Sequence, residues 1–144
     1  MDINQVRWVK FHDIIDERGR LTAIESGEHI KFNIARIFYV HQVVTGMERG
    51  GHAHRDTDQV LVGIHGSLKV DISDGKEMQT FLLDDPGKGI YVPRMLWIRL
   101  YQFRQDGICF VLASTNYDRS KSIRTWEEYL EAIGLSWWEE PKGK

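Results

Sequence analysis

Residues 46–66 read Gly46-Met-Glu-Arg-Gly-Gly-His52-Ala-His54-Arg-Asp-Thr-Asp-Gln59-Val-Leu-Val-Gly-Ile-His65-Gly66, and the fold turns on how they are read. His52 and His54 are separated by one residue, so a strand would point both imidazoles to one face. A glycine-rich turn precedes them, and Gln59-Val60-Leu61-Val62 follows as a β-branched and aliphatic strand closing at His65-Gly66. Two imidazoles on one sheet face serve either as metal ligands or as proton carriers.

Outward from this stretch the chain stays β. Residues 67–72 alternate as a half-exposed strand, and Ser73-Asp74-Gly75-Lys76 offers Asp-Gly for a hairpin into residues 77–83. The cluster Asp84-Asp85-Pro86-Gly87-Lys88-Gly89 turns the chain into 90–92, 96–101 and 108–113. Upstream, residues 6–11 begin a strand, and Asp16-Glu-Arg18-Gly19-Arg turns into 21–25. Residues 35–40 then alternate, with Arg36, Phe38 and Val40 on one face and Ile37, Tyr39 and His41 on the other. Tyr39 either packs in a core or points a hydroxyl into a cavity. Short strands at regular spacing predict an all-β antiparallel barrel or jelly roll over residues 1–115.

The end of the chain differs. Thr125 with Glu128 forms a capping box, and Trp126, Tyr129, Leu130 and Ile133 recur at helical spacing before Gly134. A C-terminal amphipathic helix is expected over 122–134, followed by a tail at 135–144, all within one domain of 1–144. Trp137 and Trp138 in that tail suit a subunit contact.

The 144 residues carry a net charge of −2 with lysine and arginine scattered, which leaves no electrostatic footprint for nucleic acid. No stretch approaches the length of a membrane helix, and the first residues lack a basic patch followed by an apolar segment. The lone Cys109 lies in an apolar run, as a buried and inert thiol would, and suits a reducing cytoplasm.

Gly46-x5-His52-x-His54-x4-Gln59-x6-Gly66 resembles the first cupin motif in every fixed position except that Gln59 replaces a glutamate. Gly87-x5-Pro93-x-Met95-x2-Ile98-x3-Gln102 lies over the second, with Ile98 where a third histidine stands. The resemblance implies a cupin-type jelly-roll barrel. Two imidazoles, a neutral amide and an isoleucine make a weak site for a divalent ion, so no metal and no other cofactor is expected. His52 and His54 are then free to carry protons. The pair clusters with Arg49 and Gln59 within eleven residues, a polar density that a core does not need.

A narrower resemblance covers most of the chain. Arg18-Gly-Arg-Leu-Thr-Ala-Ile-Glu25, Ile34-Ala-Arg-Ile-Phe-Tyr39, Arg49-Gly-Gly-His-Ala-His-Arg55, Gln59-Val-Leu-Val, Gly89-Ile-Tyr-Val-Pro, Val111-Leu-Ala-Ser and Tyr117-Asp118 look like the nucleotide-sugar 3,4-ketoisomerases. These metal-free cupins act on dTDP-4-keto-6-deoxyglucose in making aminodeoxysugars for surface polysaccharides. The resemblance implies a histidine pair that divides the proton transfers, with His54 as the base at carbon and His52 as the oxygen shuttle or orienting partner, or the two in reverse order; it implies Arg49 on the diphosphate and Gln59 on a sugar hydroxyl. Tyr39 falls on the family's site tyrosine, and Arg18 on an arginine that reaches the sugar pocket in part of the family. It also implies a homodimer, with residues 6–11 and the Trp137-Trp138 tail at the interface. Ile98 departs from the His or Arg common among relatives and bears on stereochemistry at C4 and on catalysis. A non-catalytic sugar-binding cupin, a 3,5-epimerase and a metal-dependent dioxygenase are the competing readings.

Overall fold

The structure is a computed structural model and describes residues 2–136 and 140–143. Its strands are β1 (Arg7–Lys10), β2 (His12–Asp16), β3 (Gly19–Ala23), β4 (Arg36–Val40), β5 (Arg49–His54), β6 (Gln59–Ser73), β7 (Met78–Leu83), β8 (Lys88–Val92), β9 (Trp97–Ala113) and β10 (Ser122–Ile123), followed by the helix α1 (Trp126–Ile133). All pairings between named strands are antiparallel.

Two long strands organise the barrel. The first half of β6 pairs with β8 and with the second half of β9, and β1 and β4 extend that sheet at its two edges. The second half of β6 pairs with β7 and with the first half of β9, which in turn carries β5 and β10. Each long strand thus serves both walls of a jelly roll. The sequence reading placed strand breaks at 63–66 and 102–107, and the chain instead bends there without leaving the ladder. Register shifts fall between Gly63 and Lys69, with Gly66 at φ 57° and Gln105 and Asp106 also at positive φ. A bulge bends a strand and sharpens its twist, which is what lets one strand cross from wall to wall.

Between the walls lies the core of Leu61, Leu68, Val70, Ile72, Ile90, Val92, Ile98, Leu100, Cys109 and Val111, with Phe38 and Val40 partly buried against it. Alternation sends the neighbours of these residues outward. On one wall Val60, Val62 and Leu112 are covered by Phe11 and Ile30 from the N-terminal segments. On the other, Trp97 and Ala53 are covered by Trp126, Tyr129 and Leu130 of α1. Cys109 is fully buried, and burial alone pushes its thiol up to about 12.

Thr125 caps the helix as expected, accepting a hydrogen bond from the Glu128 backbone, and Gly134 ends the helix in the left-handed region at φ 77°. The helix is shorter than the expected 122–134, because Ser122 and Ile123 pair with His54 and Ala53 as β10. Met95 and Gln102 stand at motif positions held by glycine and asparagine, and both keep a left-handed backbone, at φ 68° and 50°. The Met95 N–H donates to the His54 carbonyl at 2.8 Å, fixing the backbone of one histidine to this turn. Trp137 and Trp138 lie outside the described residues.

Candidate active site

The mouth of the barrel opens beside β5, and the geometry of β5 starts with its glycines. Gly50 lies opposite Arg99 and His52 opposite Ile98, so Gly51 is the extra residue of a bulge. Gly50 has φ 86°, and a Cβ there would sit 2.9 Å from the Ile98 carbonyl oxygen. Only glycine lets the two strands approach this closely. The bulge returns the strand to phase, so that His52 and His54 share the inner face while Ala53 packs under α1.

Two lobes of one mouth meet at Phe38, Glu48, Arg49, Gly50 and His52. The first, of about 540 Å³, runs toward the loop 41–47 and takes in Gln59, Leu61, Ile98 and Val111. The second, of about 590 Å³, contains His54, Arg36, Tyr117, Ser122 and Arg124. Together they offer room for a ligand larger than a single sugar ring.

The two imidazoles stand edge to face with ring centroids 4.7 Å apart. His54 is depressed to about 3, first by burial and then by the positive charges of His52, Arg36 and Arg124. His52 is lowered as well, chiefly by burial, with Arg124 and Arg49 adding to it and the Gly50 backbone pulling the other way. Both rings are therefore neutral at neutral pH and able to accept a proton. His54 Nε2 is buried and has no hydrogen-bond partner among the described residues. Such an orphan is costly in a finished core and is found where a ligand completes the network.

Three guanidinium groups surround the pair. Arg36 points inward from β4 with Phe38 and Val40; its guanidinium lies 5.1 Å from the Phe38 ring centroid and 5.5 Å from that of Tyr117. Its Nε also lacks a partner among the described residues. Arg124 reaches the Tyr117 hydroxyl at 3.5 Å. Arg49 borders both lobes. Against these, Glu48 is the one carboxylate lining either lobe among the described residues. Three guanidinium groups against one carboxylate leave the mouth positive, with the paired donors that suit phosphate oxygens.

Of the residues expected from sequence, the structure brings together His52, His54, Arg49 and Gln59, the last only 3% exposed and facing the first lobe. Tyr39 is displaced from that group. It touches the cavity at the rim, but its ring stacks on Phe110 and lies against His41 on the outer face, 58% exposed. Period-2 alternation gives the inner face of β4 to Arg36, Phe38 and Val40. Arg18 also stands apart: it occupies the tip of the β2–β3 hairpin, its side chain 86% exposed and paired with Asp16 at 2.7 Å. Arg36 and Arg124 were not foreseen. Arg36 left a signal, since it shares its face with two core residues; Arg124 left none.

A cupin metal centre requires further ligands beside the histidine pair. Gln59 supplies a neutral amide and Ile98 a hydrocarbon, and no group of three or more His, Cys, Asp or Glu side chains converges among the described residues. The side chains present do not fit a divalent ion.

Comparison with known proteins places this geometry in a family. The family model described as "FdtA: WxcM-like, C-terminal" matches residues 4–134. A TDP-4-oxo-6-deoxy-alpha-D-glucose-3,4-oxoisomerase from Aneurinibacillus thermoaerophilus is 38% identical over 125 residues, covering 87% of this chain and 90% of that one. The crystal structure of QdtA, a sugar 3,4-ketoisomerase from Thermoanaerobacterium thermosaccharolyticum in complex with TDP, superposes with a TM-score of 0.88 at 33% identity over 92% of this chain and 97% of that one. WlaRB, a TDP-quinovose 3,4-ketoisomerase from Campylobacter jejuni, gives 0.84 at 32% identity over 90% and 99%. The RmlC epimerase of Mycobacterium tuberculosis, at 16% identity and a TM-score of 0.72 over 85% and 69%, shares the fold. With the family model spanning nearly the whole barrel and α1, the chain belongs to the FdtA, WxcM-like C-terminal family.

Proposed function

We propose that this chain is a TDP-sugar 3,4-ketoisomerase that moves the ketone of a TDP-4-keto-6-deoxyhexose from C4 to C3 by proton transfer within the histidine pair. The observation that carries the reading is the pair itself: two neutral imidazoles 4.7 Å apart, one with an orphaned Nε2, in a mouth lined by three guanidinium groups. The names of the relatives support the substrate class.

In this reading His54 removes the proton from C3. The C3–H electrons form the C3=C4 double bond and the C4 carbonyl oxygen takes up the negative charge. His52 carries the hydroxyl proton from the C3 oxygen to the C4 oxygen. His54 then returns its proton to C4 as the carbonyl re-forms at C3. C3 is oxidised as C4 is reduced, so the reaction needs no outside oxidant. A base with a pKa near 3 is a weak one; a diphosphate paired with Arg36, Arg49 and Arg124 cancels part of the positive field and strengthens it once substrate is bound. Gln59 is assigned to a sugar hydroxyl. No metal takes part, a proposal supported by the poor ligand set around the pair.

The working unit in this reading is a cytoplasmic homodimer. Ile14, Ile15 and Leu21 of the β2–β3 hairpin are 48%, 71% and 59% exposed, and a second copy would cover them. Arg18 at the hairpin tip then acts from across the interface. Light scattering on the purified protein tests the dimer, with a monomer at micromolar concentration as the contradicting result. Incubation with TDP-4-keto-6-deoxyglucose, followed by carbon NMR, tests the reaction. The C3 resonance moves into the ketone range if the reading holds; binding without turnover would favour a non-catalytic cupin, for which Ile98 opposite His52 is the structural motive.

A further inference from the structure

Arg99 joins two parts of the molecule that the barrel alone would leave separate. It faces outward from β9 and its side chain is 7% exposed. One terminal nitrogen donates to Glu48 at 2.9 Å. The other donates to Asp71 at 2.7 Å and to the Gly143 carbonyl at 3.2 Å. The Gly143 N–H donates to the same Asp71 oxygen at 2.7 Å, while the other Asp71 oxygen accepts from Tyr101 and Thr80, each at 2.8 Å. The guanidinium lies over the Tyr101 ring, 3.8 Å from its centroid. A Cβ on Gly143 would collide with the Tyr101 hydroxyl and the Asp71 carboxylate. Trp97 adds a second anchor, donating to Glu140 at 2.8 Å. Residues 140–143 thus form a strap over this face.

Asp71 by itself already neutralises Arg99. The further bond to Glu48 draws in a second carboxylate, and Glu48 is the acid that borders the cavity, next in sequence to Arg49. Released, it would pair with the nearest free guanidinium and oppose any anion entering the mouth. Arginine suits this task better than lysine, because its planar fork holds two carboxylates at once in fixed directions.

We infer that Arg99 is a positioning residue that withholds Glu48 from the arginine cluster, keeping Arg49 and Arg124 free for an anionic ligand, and that the strap at Gly143 holds Arg99 to that task. This inference rests on the proposed nucleotide-diphosphate site.

Isothermal titration of the full chain with TDP tests it. Wild type must bind TDP; no binding overturns the functional reading rather than this one. Arg99→Met weakens TDP by at least about tenfold, equivalent to about 1.4 kcal/mol, and adding Glu48→Gln to it restores affinity to within about threefold of wild type. Glu48→Gln alone binds as tightly as wild type or tighter, which a direct ligand contact by Glu48 would not allow. Because Arg99→Met leaves Asp71 buried without its cation, Arg99→Lys serves as the variant that keeps the charge. It also weakens TDP and also recovers on Glu48→Gln. Unchanged affinity in Arg99→Lys, or a loss that Glu48→Gln does not repair in either background, overturns the inference.

Discussion

Ile98 lies directly across from His52 in the β5–β9 ladder, at the motif position where a metal-binding cupin carries its third histidine. Its side chain belongs to the core and is 4% exposed. Ile98→His therefore places a third imidazole beside the pair. The variant gains affinity for zinc or nickel by at least about tenfold over wild type, since a third nitrogen donor completes a facial set. Dye-competition titration checks this, and equal affinities would show that the backbone does not converge the three positions. Wild-type turnover, by contrast, survives dialysis against a chelator without loss.

The loss of stability just below neutral pH, above the range where the carboxylates titrate, belongs to the histidines. The pKa of His54 is about 3 in the folded chain against an ordinary 6.5. Between those values the unfolded chain takes up a proton that the folded chain does not, so stability falls as pH drops from 6.5 toward 3. The slope rises from half its maximum at pH 6.5, where the unfolded imidazole is half protonated, toward about 1.4 kcal/mol per pH unit, so wild type loses about 1.6 kcal/mol more than His54→Gln between about pH 6.5 and 5. Urea midpoints at the two pH values measure the difference. An equal acid slope in both proteins would place the proton uptake elsewhere.

Gly50 holds the bulge that phases the histidines. Gly50→Ala meets both a left-handed backbone and the Ile98 carbonyl oxygen, and costs about 2 kcal/mol or more. Gly51→Asn, at φ 69° with the Trp97 ring 3.9 Å from its Cβ position, costs less than about 1 kcal/mol because asparagine tolerates that region. Chemical denaturation ranks the two, and turnover follows the same order. A Gly50→Ala protein as stable as Gly51→Asn would mean that the strands can part there.

Arg36 and Arg124 separate binding from chemistry. Arg36→Gln and Arg124→Gln each weaken TDP by about tenfold or more, as expected when one of a few charge-assisted contacts is removed. A TDP titration measures it. Binding unchanged by both would move the anion site away from the second lobe.

Local chemistry made most of the fold legible. Thr125, Glu128 and Gly134 mark the helix ends because capping is decided within one turn, and Asp74-Gly75 marks its hairpin for the same reason. The continuity of β6 and β9 was not legible: Gly63 to Gly66 and Gln102 to Gly107 carry turn chemistry, and only the opposite strand shows that they bulge rather than break. At the site, alternation sorted β4 into two faces without saying which one is inside. Family resemblance pointed to Tyr39, while the core contacts of Phe38 and Val40 turn Arg36 inward instead. Arg124 is placed by the pairing of β10 with β5, and the strap by the bond from Gly143 to Asp71, 72 residues away; no local pattern announces contacts so distant in sequence.

Proton NMR of TDP-4-keto-6-deoxyglucose turnover in deuterated buffer, with wild type beside His54→Asn, tests the proposed proton transfer most directly. The account predicts a 3-keto product carrying deuterium at C4 from wild type, and neither product nor exchange at C3 from the variant, which still binds TDP. Deuterium at C3 and C5 with the ketone left at C4, or full turnover by His54→Asn, would contradict it.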